Sequence, residues 1–287
     1  LSTSNGFSGG YKKSNYSISC SSIAGDDLNM QTDYDYDSKI FFKDLKDEFS
    51  IGEKAAKNTL AKCNPKKIKT CTSDIVFDPR VSRTILAHFS SLINGASIAR
   101  GSSFLSEKMN TKIFNKDVNI IDDPSILRGI ASKPFDDEGC GIQKLNIVQN
   151  GNLNSWILDS TTAKQLNLNS NNRASRGMSS PPSPSSTNMF IENGSFSVNE
   201  IIKNIKDGFY VTDLIGQGVN LITGDYSRGA GGFKIEDGNI TFPINEVTIA
   251  DNLKDMFSRM IIANDLDFKY SINSPTILIE GMKIAGI

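Results

Sequence analysis

The chain has one histidine, His88, one tryptophan, Trp156, and only four cysteines in 287 residues. A lone histidine excludes any His–His metal pair. Cys20, Cys63, Cys71 and Cys140 form no CxxC and have no histidine cluster beside them. This argues against structural zinc and for reduced thiols in a cytoplasmic protein. No stretch approaches the ~18 apolar residues of a membrane span, so no membrane partner is expected. The opening LSTSNGFSGG has neither the basic start nor the apolar core of a signal peptide. It also lacks an initiator methionine, so Leu1 reads as the interior of a longer protein. Excess charge is missing too: 31 Lys and Arg stand against 32 Asp and Glu. Without a basic field or a long Lys/Arg run, nucleic acid is not an expected partner.

What is present is an ordinary globular composition, 38% hydrophobic and 22% charged, enough to build a core without staples. Tyr16 to Ile23 reads as a strand, turned by AGDD into a second one, Leu28 to Tyr36, where MQTDYDYD alternates aromatic and acidic residues. Ser50 and Glu53 form a capping box for a helix carrying Ala56, Leu60 and Cys63, which Pro65 ends. The polar, basic NPKKIKTCTS marks a domain boundary near residue 72, giving units 1–71 and 72–287. Asp74 to Phe77 is a short strand. Asp78 and Pro79 then start a helix whose apolar face is Val81, Ile85, Phe89, Leu92 and Ile93.

Asn150-Gly151 predicts a type I′ hairpin, with Trp156 on its second strand and packed in the core. Residues 170–188, SNNRASRGMSSPPSPSSTN, have the composition of a flexible linker. Met189 to Glu192 reads as a strand. Ser197 and Glu200 box a helix that buries Ile201, Ile202 and Ile205. Phe209 to Ile215 is strand-like, Asp237-Gly238 is a tight hairpin, Asp251 caps a helix bearing Leu253, Met256, Phe257 and Met260, and Thr276 to Ile284 is a last strand. The sum is an α+β fold with antiparallel sheets joined mostly by hairpins and about four helices, not a βαβ series.

Three features carry candidate chemistry. The stretch GQGVNLITGDYSRGAGG, residues 216–232, suggests a phosphate cradle but lacks its parts. No Gly-Lys-Ser/Thr follows, Leu221 stands where a third glycine of GxGxxG belongs, and a hairpin follows instead of a helix. The glycines instead permit bulges and corners, or the close approach of another backbone. Arg228 either faces a ligand or pairs with Asp225. His88 sits in AHFSSLIN at the edge of the apolar helix face, with no neighbouring Glu and no second His, which favours a structural histidine. A Ser-His-Asp triad built on it has no GxSxG elbow to support it. Asp136, Asp137 and Glu138 read as a solvated loop.

The long segment YVTDLIGQGVNLITGDYSRGAGGFKIEDGNITFPINEVTIADNLKDMF resembles the C-terminal signature of the TldD/PmbA family, in its PmbA (TldE) branch. So do IVFDPRVSRTILAHFSSLINGASIARGSSFL, KPFDDEGC, RGMSSPPSPSSTN, the terminal MKIAG and the opening LSTSNGFSGGYKKSNYSISCSSIAGDDLNMQ. The resemblance covers essentially the whole chain. It implies that residues 1–71 are a remnant of the family's N-terminal and central region, and that 72–287 are its strand-rich C-terminal domain.

The resemblance further implies a cytoplasmic heterodimer with a TldD-like subunit that processes or degrades unfolded peptides. The TldD side would carry zinc on a HExxxH helix, with a cysteine ligand added. Here the matching segment is TILAHFSSLINGASIARGSSF, which keeps His88 alone. No catalytic or metal residue is therefore carried over, and no cofactor is expected in this chain. The resemblance also implies that RGMSSPPSPSSTNMF is an ordered segment lining the cleft; Pro181, Pro182 and Pro184 fix φ, so an extended conformation there costs little entropy. Gly216, Gly218, Gly224, Arg228 and Gly229 become candidates for the surface that takes an extended peptide. Alternatives are a regulatory binding protein of the gyrase-modulator kind, a hydrolase using His88 alone, a fragment without function, and a homodimer when isolated.

Overall fold

The computed structural model describes residues 1–26 and 29–287. Asp27 and Leu28, where the AGDD turn was expected to end and the second strand to begin, lie outside the described residues. β1 (Tyr16–Ala24) and β2 (Gln31–Lys39) pair antiparallel in unbroken register. β2 buries its acids instead of its tyrosines: Asp33 and Asp37 point inward while Tyr34 is exposed.

α1 (Glu48–Ala61) is capped by Asp47, whose carboxylate accepts from the N–H groups of Phe49 and Ser50. The helix therefore starts three residues before the expected Ser50 box. Its buried stripe is Ile51, Ala55 and Thr59, not Ala56 and Leu60. The correction is physical: an Asp carboxylate takes the first free N–H groups it meets, and Ser50 is then inside the first turn, bonding back to Asp47 O.

β3 (Cys71–Phe77) leads into α2 (Pro79–Leu92), with Asp78 as its cap and Pro79 at the first helical position, as the sequence predicts. α3 (Gly95–Ala99), β4 (Ile120–Asp122), β5 (Leu145–Gln149) and β6 (Asn152–Leu153) follow. Asn150 and Gly151 take φ of 48° and 78° in the expected hairpin. Trp156 is buried, but it lies beyond the short β6. Next come α4 (Ser160–Gln165), β7 (Ala174–Ser175), β8 (Ser183–Pro184), β9 (Met189–Ile191) and α5 (Val198–Lys203), the last with its Ser197–Glu200 capping box formed. The chain ends with β10 (Asp207–Ile215), β11 (Asp225–Glu236), β12 (Asn239–Asn252), α6 (Leu253–Arg259), β13 (Met260–Ile262), β14 (Ile272–Asn273) and β15 (Ile277–Ala285). Asn252, not Asp251, caps α6: the Asn252 side chain accepts from Lys254 N–H, while the Asp251 carboxylate is taken by Arg259.

The largest sheet runs β12-β11-β10-β3-β15-β13, and β12 also pairs with β15. Strands β12, β11, β10, β3 and β15 thus close into a ring, which leaves few free edges. A second sheet runs β14-β9-β4-β5-β6. Most pairings are antiparallel, but β10 with β3 and β14 with β9 are parallel. Hairpin signals miss those two because they join segments distant in sequence. α2 fills the space between the sheets. Phe89 meets Phe114 and Phe257 at 5.1 and 5.9 Å, edge-on. Six α-helices form among the described residues, two more than the sequence suggests, since α3 and α4 are too short to show a period. The chain is α+β with mainly antiparallel sheets. Among the described residues no helix is long and apolar enough to cross a membrane.

Candidate functional site

α2 is the element on which the site turns. Its cap is doubly used: Asp78 accepts from Arg80 N–H at 2.9 Å and from the Tyr210 hydroxyl at 2.9 Å. Burial, then the Asp78 carboxylate, pushes the Tyr210 phenol far up, so it stays a donor at any working pH. One face of α2 buries Val81, Ile85, Leu86 and Phe89. His88 lies beside that face, partly exposed.

Opposite His88 stand Tyr226 and Arg228 of β11. They are two apart, so the strand period puts both side chains inward. The same period sends Asp225 outward, where it bonds to Thr223 and Asn252. The Asp225–Arg228 ion pair considered from sequence therefore does not form: an odd separation on a strand places the two on opposite faces. Arg228 is only 8% exposed and Tyr226 1%. The His88 and Tyr226 rings meet edge-on at 6.4 Å. His88 Nε2 and the Tyr226 hydroxyl are both buried with no hydrogen-bond partner among the described residues. Burial first, and then the Arg228 charge, lowers the His88 pKa. Burial raises the Tyr226 phenol, and Arg228 only partly offsets it.

This set does not fit zinc. Zinc wants three or four N, S or carboxylate donors, and here one imidazole faces a guanidinium and a phenol. Among the described residues no group of three or more His, Cys, Asp or Glu is placed to hold a metal.

The glycine stretch folds over the end of β11. Gly216, at φ +83°, is an open turn after β10. A Cβ on Gly218 would stand 1.9 Å from Ser227 O, and Ser227 N–H donates to Gly218 O at 2.6 Å. That room is filled by the chain's own backbone. Gly224, at φ +92°, turns the chain into β11 against Asn252. Gly229 pairs with Ile215, and a Cβ there would meet Ile215 Cβ at an ordinary 3.4 Å. Arg228 Nε reaches Ile215 O at 3.4 Å. β10 pairs with β3 only from Gly208 to Val211, so Thr212–Ile215 has no strand partner on that side among the described residues.

The Ser/Pro-rich stretch is tied down, not a linker. Arg173, 1% exposed, pairs with the fully buried Asp122 at 2.6 Å. Asp122 also accepts from Thr187 N–H and hydroxyl at 2.7 and 2.9 Å. Asn94 donates to Pro184 O at 2.8 Å, which lays the segment beside the end of α2. The acids 136–138 are not a solvated loop either. Asp136 is fully buried and accepts from Cys140, Glu138 and Ala174 N–H groups. Asp137 accepts from Arg176 N–H, and Glu138 from Ser160. A carboxylate accepting several N–H groups is satisfied without water, which the composition of the loop does not reveal.

A cleft of about 850 Å³ opens where β2 and α1 meet α2 and β10. Its wall is a charge network. Asp33 pairs with Arg80 at 2.8 Å and with Lys62 at 2.7 Å, and Lys62 also bonds Asp213. Burial alone would raise the Asp33 carboxyl, but hydrogen bonds from Arg80, Lys62 and Tyr34 N–H hold it below the usual range. Sequence reasoning missed Asp33, Lys62, Arg80 and Tyr226. The alternation of MQTDYDYD could have flagged Asp33, and that of DYSR could have flagged Tyr226.

Comparison with known proteins matches residues 70–286 to the PmbA/TldA metallopeptidase C-terminal domain and residues 1–62 to the central domain of the same family. The chain is 36% identical over 284 residues to a Haemophilus influenzae metalloprotease PmbA homologue, covering 99% of this chain and 61% of that protein. It is 35% identical to Escherichia coli metalloprotease PmbA, with the same coverage. The chain thus spans about 61% of the length of these relatives. Among solved structures, a Bacteroides thetaiotaomicron protein described as a candidate modulator of DNA gyrase superposes with TM-score 0.90 at 29% identity, over 99% of this chain and 63% of that one. TldE from Thermococcus kodakarensis shares the fold, with TM-score 0.84 at 22% identity, over 95% of this chain and 63% of that one. With both parts of the chain matched and more than a third of its residues identical to a PmbA homologue, the chain belongs to the PmbA branch of the PmbA/TldD metallopeptidase family.

Proposed function

We propose that this chain is the non-catalytic, PmbA/TldE-type subunit of a cytoplasmic complex with a TldD-like metallopeptidase, and that it shapes the channel through which unfolded peptides reach the partner's zinc. The observation that carries this reading is α2. A family member whose corresponding helix offers one imidazole, set beside a guanidinium, has no donor set for a catalytic metal. Units 1–71 and 72–287 act together in the same proposal, since the charge network on Asp33 spans both.

Substrate backbone adds to the open edge at Thr212–Ile215, which selects extended chains and rejects folded ones. Gly216, Gly218, Gly224, Arg228 and Gly229 surround the exit of that edge. Gly216 and Gly229 leave backbone room, whereas Gly218 and Gly224 shape the turn that frames it.

The test is co-expression with a TldD-like protein, followed by affinity isolation and metal analysis. A stable complex is expected, with about one zinc per pair and none in this chain alone. Stoichiometric zinc and peptidase activity in the isolated chain would overturn the assignment. Failure to associate would favour the regulatory reading suggested by the description of the Bacteroides structure.

A further inference from the structure

We propose that His88, Tyr226 and Arg228 form a carboxylate-binding niche that anchors a peptide through its C-terminal carboxylate or an acidic side chain. Arg228 is only 8% exposed as a residue, yet no Asp or Glu pairs with its guanidinium among the described residues. Its one protein hydrogen bond there is the long Nε contact to Ile215 O at 3.4 Å. A cation that is largely desolvated and has no counter-ion is costly to hold, and an anion offsets that cost when it binds.

Two further groups with unused hydrogen-bonding capacity face the same place. The Tyr226 hydroxyl is a buried donor without an acceptor, and His88 Nε2 is a buried ring nitrogen without a partner. Both lie close enough to Arg228 to feel its charge. A carboxylate has two oxygens and about four lone-pair sites, which suits a guanidinium fork, a phenol O–H and an imidazole N–H together. Zinc would be repelled by Arg228. His88 is partly exposed, and Ile215, whose carbonyl Arg228 touches, is 67% exposed.

That the carboxylate belongs to a peptide rests on the proposed peptide channel. The niche itself does not. Thr212–Ile215 is the open edge proposed for substrate, and it ends at the carbonyl that Arg228 touches. A strand laid on that edge would bring its terminus or a neighbouring side chain to the niche.

Because His88 is the only histidine, its imidazole NMR signal needs no assignment. Sodium acetate titrated into the full chain at constant ionic strength should shift that signal saturably in the millimolar range. It should also move the His88 titration to higher pH, since an anion favours the imidazolium. Three acetylated tetra-alanine probes separate the sources: a free C-terminus, a C-terminal amide, and an amide with one internal glutamate. The first, the third or both should bind, and the second should not. Arg228→Gln should weaken binding about tenfold or more. Tyr226→Phe, which keeps the packing, should weaken it less. No saturable response to acetate, or an undiminished one in Arg228→Gln, overturns the niche. Acetate binding without binding of any peptide keeps the niche, overturns its peptide ligand, and counts against the channel reading separately.

Discussion

Two clusters of buried polar side chains flank α2, and they differ in how they are balanced. At its N-terminal end, Arg80 and Lys62 surround Asp33, and each charge has an opposite partner. At its C-terminal half, His88, Tyr226 and Arg228 bring a cation, a phenol and an imidazole together, and no acid pairs with them among the described residues. The first cluster joins β2, α1, α2 and β10 into one body, as structural ion pairs do. The second has hydrogen-bonding capacity that the protein leaves unused. A balanced cluster contributes to the fold, while an unbalanced one costs stability and offers a binding surface in return.

The contrast can be broken from its strong side first. Asp33→Ala leaves Arg80 and Lys62 without their shared acid and should destabilise by roughly 3 kcal/mol, read from urea unfolding. A change under about 1 kcal/mol would mean that Asp213 and Asp78 compensate, and the network would lose its structural role. Arg228→Met should do the reverse. Removing a largely desolvated cation that no acid pairs with among the described residues should leave stability unchanged or raise it by about 1 kcal/mol in the same assay. A loss as large as that of Asp33→Ala would show that Arg228 has a structural partner after all. Tyr226→Phe deletes only a hydroxyl without a partner and should shift stability by less than about 1 kcal/mol, toward the stable side.

The subtlest effect is on pH. His88 titrates lower in the folded chain than its ordinary 6.5, so the unfolded chain binds the proton more readily. Its contribution is whole above 6.5 and is lost as pH falls through that value toward the lowered one. Asp33 is also depressed, so its contribution persists below that window and is lost only as pH falls below its ordinary 3.8. Unfolding measured from pH 7 downward should show two acid-side losses. His88→Gln should remove the first alone. A profile flat between pH 7 and 5 in the unaltered chain would place His88 in water.

Some of this was open to reading in one dimension. The caps at Asp78 and Ser197, the hairpins at Asn150-Gly151 and Asp237-Gly238, and the buried face of α2 all follow from local chemistry within about four residues. The family was legible because long ordered stretches match. The α1 cap was misplaced because two acceptors, Asp47 and Ser50, compete within one turn, and the earlier one engages Ser50.

By itself the sequence determined that no metal site could rest on two histidines, that the fold would be α+β, and where most turns would fall. Only the tertiary structure decided which polar groups meet. Closure of the ring by β12 on β15, the parallel pairing of β10 with β3, and the docking of α2 bring residue 33 to residue 80 and residue 88 to residues 226 and 228. Linear spacing cannot show those encounters, because the interaction of charges depends on distance and burial in space and not on separation along the chain.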